Sequence, residues 1–254
     1  MNILKVFLSD KKRVSTAIAL VGVVALIGLV DSFFLIWAFL GVAFIVSFYE
    51  AMMLFELRSN SVYVYAFILW IVAAFYPNPD NLVFVVLMIF ASILAFKGEI
   101  DKKLFMPFLY PTASFLFLLA LYKEFGIVSF LWLLVVVAGT DIGAYVVGKS
   151  IGKTKFSETS PNKTIEGVIG GIGVGVVLGS LAGVYFVSIE KAILISIVVS
   201  IASVFGDLFE SYLKRKAGVK DSGSILPGHG GVLDRVDGYL FGGIALLVLL
   251  RGIA

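Results

Sequence analysis

Between Ser211 and Asp237 a strongly polar run interrupts a hydrophobic chain. It holds the cations Lys214, Arg215, Lys216, Lys220 and Arg235, the carboxylates Asp221, Asp234 and Asp237, the single histidine His229, and five glycines. Cationic side chains grip phosphate through charge-assisted hydrogen bonds, and carboxylates are hard oxygen ligands for Mg²⁺. Glycine lets backbone approach a ligand closely. Membrane packing requires none of this. The combination reads as a site for a polyphosphate with its metal.

Other residues extend the candidate set. Asp207 stands near the end of an apolar stretch, with Ser203 one turn before it and Glu210 one turn after, so all three can share a helix face. A carboxylate at membrane depth costs a few kcal/mol and therefore faces a partner, an ion or water. Asp207 either pairs with a snorkelling lysine or converges on metal with Asp234 and Asp237, which three-residue spacing puts on one face of a helix. Asp141 is a second intramembrane carboxylate, its role open between structure and function. Ser160, Asn162, Lys163 and Thr164 come just before an apolar run beginning near Glu166. A helix starting there would offer free N–H groups to a phosphate, or the segment is simply an N-cap with a basic flank. His229 could serve as general acid, phosphate ligand or loop donor; one histidine makes no zinc site by itself.

The elements that must position these residues are membrane helices. Hydrophobic residues make up 60% of the 254 and charged residues 15%, against roughly 45–50% and 25% in soluble domains. The apolar residues form blocks near the length of about 20 that a bilayer core demands. We expect an all-α polytopic integral membrane protein with about nine spans, near 14–30, 32–49, 62–76, 81–96, 105–122, 126–148, 166–187, 190–211 and 238–253. With the N-terminus cytoplasmic, 17 of the 20 Lys and Arg residues fall on the inner side, and only Lys123, Lys191 and Arg251 fall outside. Loops 149–165 and 212–237 then both face the cytoplasm. The net charge of +3 reflects these inner-face cations and needs no nucleic acid. Met1 to Arg13 shows no small-residue cleavage site, so no cleaved signal peptide is expected. Cysteine is absent, which excludes disulfides and thiolate metal sites.

Two further patterns concern packing. Gly167, Gly171, Gly175, Gly179 and Gly183 recur every four residues, a ridge that lets another helix come close. Its partner, in the same chain or in a second subunit of a homodimer, is left open. Residues Gly143 to Ser150 match the expression G-x4-G-K-S of a phosphate-binding loop. That motif works only between a strand and the start of a helix. Here the apolar run precedes the lysine, so Lys149 is read as an inner-boundary anchor.

The polar run resembles the signature of the CDP-diacylglycerol synthase, or phosphatidate cytidylyltransferase, family. The matching positions are Ser211, Lys214, Arg215, Lys220, Asp221, Gly223, Leu226, Pro227, His229, Gly230, Gly231, Asp234, Arg235 and Asp237, without departure. Asp141 to Tyr145, Ser160 to Gly167, and Gly206 with Asp207 are similar to further segments of that family. The motifs cover 141–237; the first 130 residues agree only in being hydrophobic. The resemblance implies transfer of the cytidylyl group of CTP to phosphatidate, giving CDP-diacylglycerol and pyrophosphate, with Mg²⁺ and room for a second metal ion. It implies a bacterial inner (plasma) membrane location with the site facing the cytoplasm. Within it, Asp207, Asp234 and Asp237 would hold metal, and Lys220, Arg235 and Lys163 would neutralise the triphosphate. Lys214 and Arg215 would meet the lipid head group, Asp221 would act as ligand or loop brace, and Ser160, Asn162, Thr164, His229, Gly230 and Gly231 would complete the substrate contacts. Residues 1–125 are then variable N-terminal helices and 126–254 the catalytic region, in one integrated membrane unit.

Rival readings fit less well. Asp237-Gly238 opens like the CDP-alcohol phosphotransferase motif, but the later aspartates of that motif are missing. Membrane polyprenol kinases would not carry the full signature. A secondary transporter predicts two corresponding halves, whereas the polar motifs cluster after residue 140 and the first half is expected to contribute nothing comparable.

Overall fold

A computed structural model describes residues 11–98 and 101–253. The chain runs through α1 (Lys11–Val30), α2 (Phe33–Leu54), α3 (Asn60–Phe75), a 3-10 turn (Pro79–Asn81) and α4 (Leu82–Lys97). After a second 3-10 turn (Lys102–Phe105) and a π turn (Phe108–Thr112) come α5 (Ala113–Ile151), α6 (Ile165–Gly183), α7 (Ile189–Lys216) and α8 (Leu233–Ile253). No β-strand occurs among the described residues; Lys155 with Thr164 and Leu226 with Gly230 form isolated bridges.

Five stretches are long and apolar enough to cross a membrane: Phe33–Leu54, Pro79–Lys97, Lys102–Ile151, Ile165–Gly183 and Ile189–Lys216. Val21–Val30 and Asn60–Phe75 are shorter apolar helices. Large apolar side chains such as Phe34, Val42, Phe96, Ile169 and Leu181 lie on the outside, as helices apolar all round require when lipid is the solvent. Most of the expected apolar segments overlap helices among the described residues, but the segment 105–122 is broken by the two turns and a kink at Tyr110, and α8 is not among the five stretches. Lys5, one of the residues behind the expected side of the N-terminus, lies outside them.

One glycine divides the longest helix. Gly126 adopts φ +69°, a backbone conformation that side chains with a Cβ rarely tolerate, and its carbonyl accepts a hydrogen bond from Ser129 Oγ at 2.7 Å. The arm 113–125 packs into an aromatic cluster with α2 and α3, where Phe44 stands 5.1 Å from Trp70 and 5.7 Å from Phe115 between ring centroids. The buried residues Ile36, Leu40, Phe44 and Phe48 recur every four positions on α2, forming one face of a helix.

The arm 127–151 lies along α6, and here the glycine ridge finds its partner within the same chain. A Cβ on Gly171 would meet the Thr140 carbonyl oxygen at 2.5 Å, and one on Gly167 the Ala144 oxygen at 2.9 Å. At Gly175 the obstacles are the hydroxyls of Thr140 and Ser200, and at Gly183 the ring of Trp132. Apolar burial does not drive helices together in lipid, so this backbone-to-backbone approach supplies the dispersion contacts that do. Gly143 and Gly148 also face α6. The apparent phosphate-loop motif is therefore helix interior, and its glycines serve packing.

Candidate active site

The last turns of α7 and the first turns of α8 meet because Gly206 has no side chain. A Cβ there would lie 2.5 Å from the Asp237 carbonyl oxygen and 3.1 Å from Phe241 Cβ. This contact brings Asp207 and Asp237 to the same level from two helices. Asp141 arrives from α5, and each of the three carboxylates acts electrostatically on another member of the group.

Asp207 forms an ion pair with Lys163, the penultimate residue of the loop before α6, and accepts from Ser211 Oγ at 3.3 Å. The lysine partner considered for Asp207 thus exists, but it comes from a loop. Asp237 accepts from its neighbour's amide, Gly238 N, at 2.8 Å. Neither Asp237 nor Asp141 has an ion-pair partner among the described residues. No three carboxylate or imidazole groups among those residues stand ready grouped around one point.

Asp234 is placed differently. Its Oδ1 lies 2.6 Å from Lys214 Nζ, and its Oδ2 accepts from Ser222 N and Oγ, both at 2.9 Å, and from Gly231 N at 2.8 Å. Lys214 is buried and also pairs with Glu210 at 2.5 Å. A role for Asp234 at a metal, or for Lys214 at a lipid head group, requires these bonds to be exchanged.

The loop between α7 and α8 is built around a tight turn. His229 N donates to the Leu226 carbonyl at 2.9 Å, across Pro227 and Gly228, with Gly228 at φ +77°. Proline then glycine with positive φ is the pairing a type II turn demands. The His229 carbonyl accepts from Arg235 Nε at 3.0 Å, which holds that guanidinium beside the loop, while His229 Nδ1 lies 3.4 Å from the Pro227 carbonyl. Lys220, Asp221, Arg215 and Arg235 are exposed, and Arg215 donates to the Val219 carbonyl at 3.1 Å. Gly230 (φ +85°) and Gly231 lie close to Asp234 and Ser222.

The other loop is ordered by its own bonds. Thr164 caps α6 by accepting from Gly167 N at 3.1 Å, and Glu166 accepts from Lys153 N and from Thr154 Oγ1 at 3.1 and 2.9 Å. The Ser160 carbonyl accepts from Lys163 N at 3.0 Å, and Asn162 is exposed. Of this segment, Lys163 is the residue tied to the carboxylates.

Sequence reading missed two contributors from the first half of the chain, and the expectation that this half adds nothing polar to the site is corrected. Glu50 of α2 accepts from Leu233 N at 2.7 Å, Val232 N at 3.0 Å and Ser222 Oγ at 3.2 Å. The signal was available: Glu50 is the only charged residue in α2, and the depth rule applied to Asp141 and Asp207 applies to it equally. The Tyr110 hydroxyl is buried without a hydrogen-bond partner among the described residues, within electrostatic reach of Asp207, Glu210, Asp234 and Asp237. Its ring meets Phe209 and Phe241 edge-on at 5.0 and 6.1 Å. Nothing local in the sequence marks Tyr110.

A cytidylyltransferase family model matches residues 11–252 of this chain. The chain is 46% identical over 244 residues to the phosphatidate cytidylyltransferase of Helicobacter pylori strain J99, covering 95% of this chain and 92% of that protein. It is 44% identical, with the same coverage, to that of Helicobacter pylori strain 26695. With the phosphatidate cytidylyltransferase of Bacillus subtilis strain 168 it shares 48% identity over 122 residues, 46% of this chain and 45% of that one.

Proposed function

The chain belongs to the cytidylyltransferase family, and from that premise we propose that it transfers the cytidylyl group of CTP to phosphatidate, releasing CDP-diacylglycerol and pyrophosphate. Among the site's features, the one that carries this reading is that Asp141, Asp207 and Asp237 stand within electrostatic reach of one another, with Lys163 paired to Asp207. Carboxylates that repel one another beside phosphate-binding cations suit a metal-bound polyphosphate.

A phosphate oxygen of phosphatidate forms a bond to the α-phosphorus of CTP in line as the bond to the bridging oxygen breaks. That oxygen leaves with pyrophosphate. A phosphate monoester has a second pKa of about 6, so the nucleophile is already largely ionised near neutral pH and needs little base catalysis. The remaining demands are to bring two polyanions together and to stabilise charge on the leaving group. Lys163, Lys220 and Arg235 supply charge to the triphosphate, and the exposed Arg215 supplies it to the lipid phosphate. Ser160 and Asn162 lie on the same loop as Lys163 and complete the contacts to nucleotide.

Magnesium fits the donor set, which is all hard oxygen and carries two carboxylates without a cationic partner. Asp207 and Asp237, with Asp141, would hold it, Asp207 exchanging Lys163 for the ion. When bound, the ion withdraws charge from the phosphate oxygens and favours departure of pyrophosphate. Asp234, with both oxygens engaged, is better suited to hold the loop that carries Lys220 and Arg235. His229 contributes through its backbone, fixing Arg235.

We also propose nine crossings with the N-terminus in the cytoplasm of a bacterial cell, which puts the site at the inner face of the plasma membrane. The distribution of 17 basic residues against 3 supports this, as does the need for cytoplasmic CTP. Pyrophosphate release by detergent-purified protein, requiring CTP, phosphatidate and Mg²⁺ together, tests the reaction. Release from CTP without lipid acceptor, or none with any acceptor in folded protein, would overturn it.

A further inference from the structure

Glu50 takes no part in the chemistry above, yet it is 1% exposed and stands alone as a charge in α2. A buried carboxylate persists only where hydrogen bonds offset its lost hydration. All of its bonds go to one place. The Val232 and Leu233 amides it accepts from open α8, and the first amides of a helix have no partner inside the helix. The partial positive charge at that end favours an anion. Ser222 Oγ, the third donor, shares its single proton between Glu50 at 3.2 Å and Asp234 at 2.9 Å, so Glu50 and Asp234 hold the same stretch of loop from two sides. Space has been kept for the arrangement: a Cβ on Gly231 would lie 2.5 Å from Glu50 Oε1, and one on Gly223 would also collide with that oxygen.

We infer that Glu50 is a positioning residue for the reaction. By binding the first amides of α8 and the Ser222 hydroxyl, it fixes where that helix begins. The start of the helix at Leu233 sets the angular placement of Arg235, about half a turn on, and of Asp237, about one turn on: Arg235 faces outward to the loop, Asp237 inward to Asp207. Glu50 also occupies the position an anion takes at a helix N-terminus. The phosphates of CTP are therefore directed to side-chain cations and away from the end of α8. A helix from the first half of the chain thus reaches the loop before α8 and sets its geometry.

Glu50→Gln and Gly223→Ala, each in the full-length protein, test this by amide hydrogen exchange and initial rates. Glutamine turns an NH₂ group toward amide donors, and alanine at position 223 displaces the carboxylate while leaving it in the chain. In both variants, amides of residues 222–235 exchange about tenfold faster or more, while those of α6 keep their protection. KM for CTP rises about fivefold and KM for phosphatidate stays at the wild-type value, a split that a mere loss of folded enzyme does not produce. Wild-type protection of 222–235 in Glu50→Gln overturns the inference, and so does a loosened loop with unchanged KM for CTP. The kinetic consequence rests on the cytidylyl-transfer reading; the exchange result does not. A wild type that releases no pyrophosphate would remove that reading, and exchange alone would then decide the role of Glu50.

Discussion

Lys214 Nζ lies 2.6 Å from Asp234 Oδ1, which ties the last turn of α7 to the first turn of α8. Because the same ammonium pairs with Glu210, the polar residues separate into two groups. Glu50, Glu210, Lys214, Ser222 and Asp234 form an enclosed, bonded network. Asp141, Asp207, Asp237 and Lys163 form a second group whose carboxylates are not all neutralised by protein cations. The first holds the loop; the second is the group to which the proposed function assigns the chemistry.

Removing the shared cation should therefore unfold before it inactivates. Lys214→Met leaves Glu210 and Asp234 buried without a counter-charge, a loss of about 3–5 kcal/mol. Thermal unfolding in detergent should show a melting temperature lowered by many degrees, with Lys214→Arg intermediate. A Lys214→Met protein that melts with the wild type would contradict the network.

Asp237→Asn should have the opposite signature. It removes a carboxylate that repels Asp207 and Asp141, so stability is retained or raised. Pyrophosphate release falls by at least about 10²-fold. Asp234→Asn, by contrast, mainly lowers stability. Equal activity loss in Asp234→Asn at wild-type stability would return Asp234 to the metal.

Chelation of divalent cations from the wild type should abolish turnover, and added Mg²⁺ should restore it. With Asp207→Asn, restoration requires a higher Mg²⁺ concentration or fails. Titration of rate against Mg²⁺ distinguishes these outcomes from simple denaturation by the chelator, which added metal would not reverse.

Lys163→Gln should raise KM for CTP about tenfold, since a charge-assisted contact to phosphate is lost. Thr164→Ala, one residue on, removes only the cap of α6, costing about 1 kcal/mol of stability, with KM unchanged. Steady-state kinetics beside melting curves separates the two.

The glycine ridge offers a packing test. Gly171→Ala forces a methyl group against the Thr140 carbonyl and Ala144, an overpacking that costs about 1–3 kcal/mol. Gly173, two residues on, faces open space, and its alanine variant should melt as the wild type does. Equal melting of both variants would contradict the α5–α6 contact.

Composition and block length alone marked this chain as helical with segments apolar enough to cross a membrane, because both are properties of the chain read in order. The polar run likewise stood out before any folding, as did the shared helix face of Ser203, Asp207 and Glu210, since neighbours on one helix are fixed by its pitch. Gly206 beside Asp207 could be seen but not explained; its reason is the Asp237 backbone lying against it.

What the sequence by itself determined was thus the family, the all-helical class and most of the helical segments, together with the polar cluster to which a phosphate and metal role is proposed. Only the tertiary structure decided which carboxylates are satisfied by protein cations and which are not. It chose the α5 arm and α7 of the same chain as partners of the glycine ridge. It also brought Glu50 to the Leu233 amide across 183 residues of chain and Tyr110 to the carboxylates. The physical reason is one of range: helix propensity and same-face spacing act within a few residues. Which buried charge meets which donor depends instead on how separate helices pack, and no pattern along the chain states that.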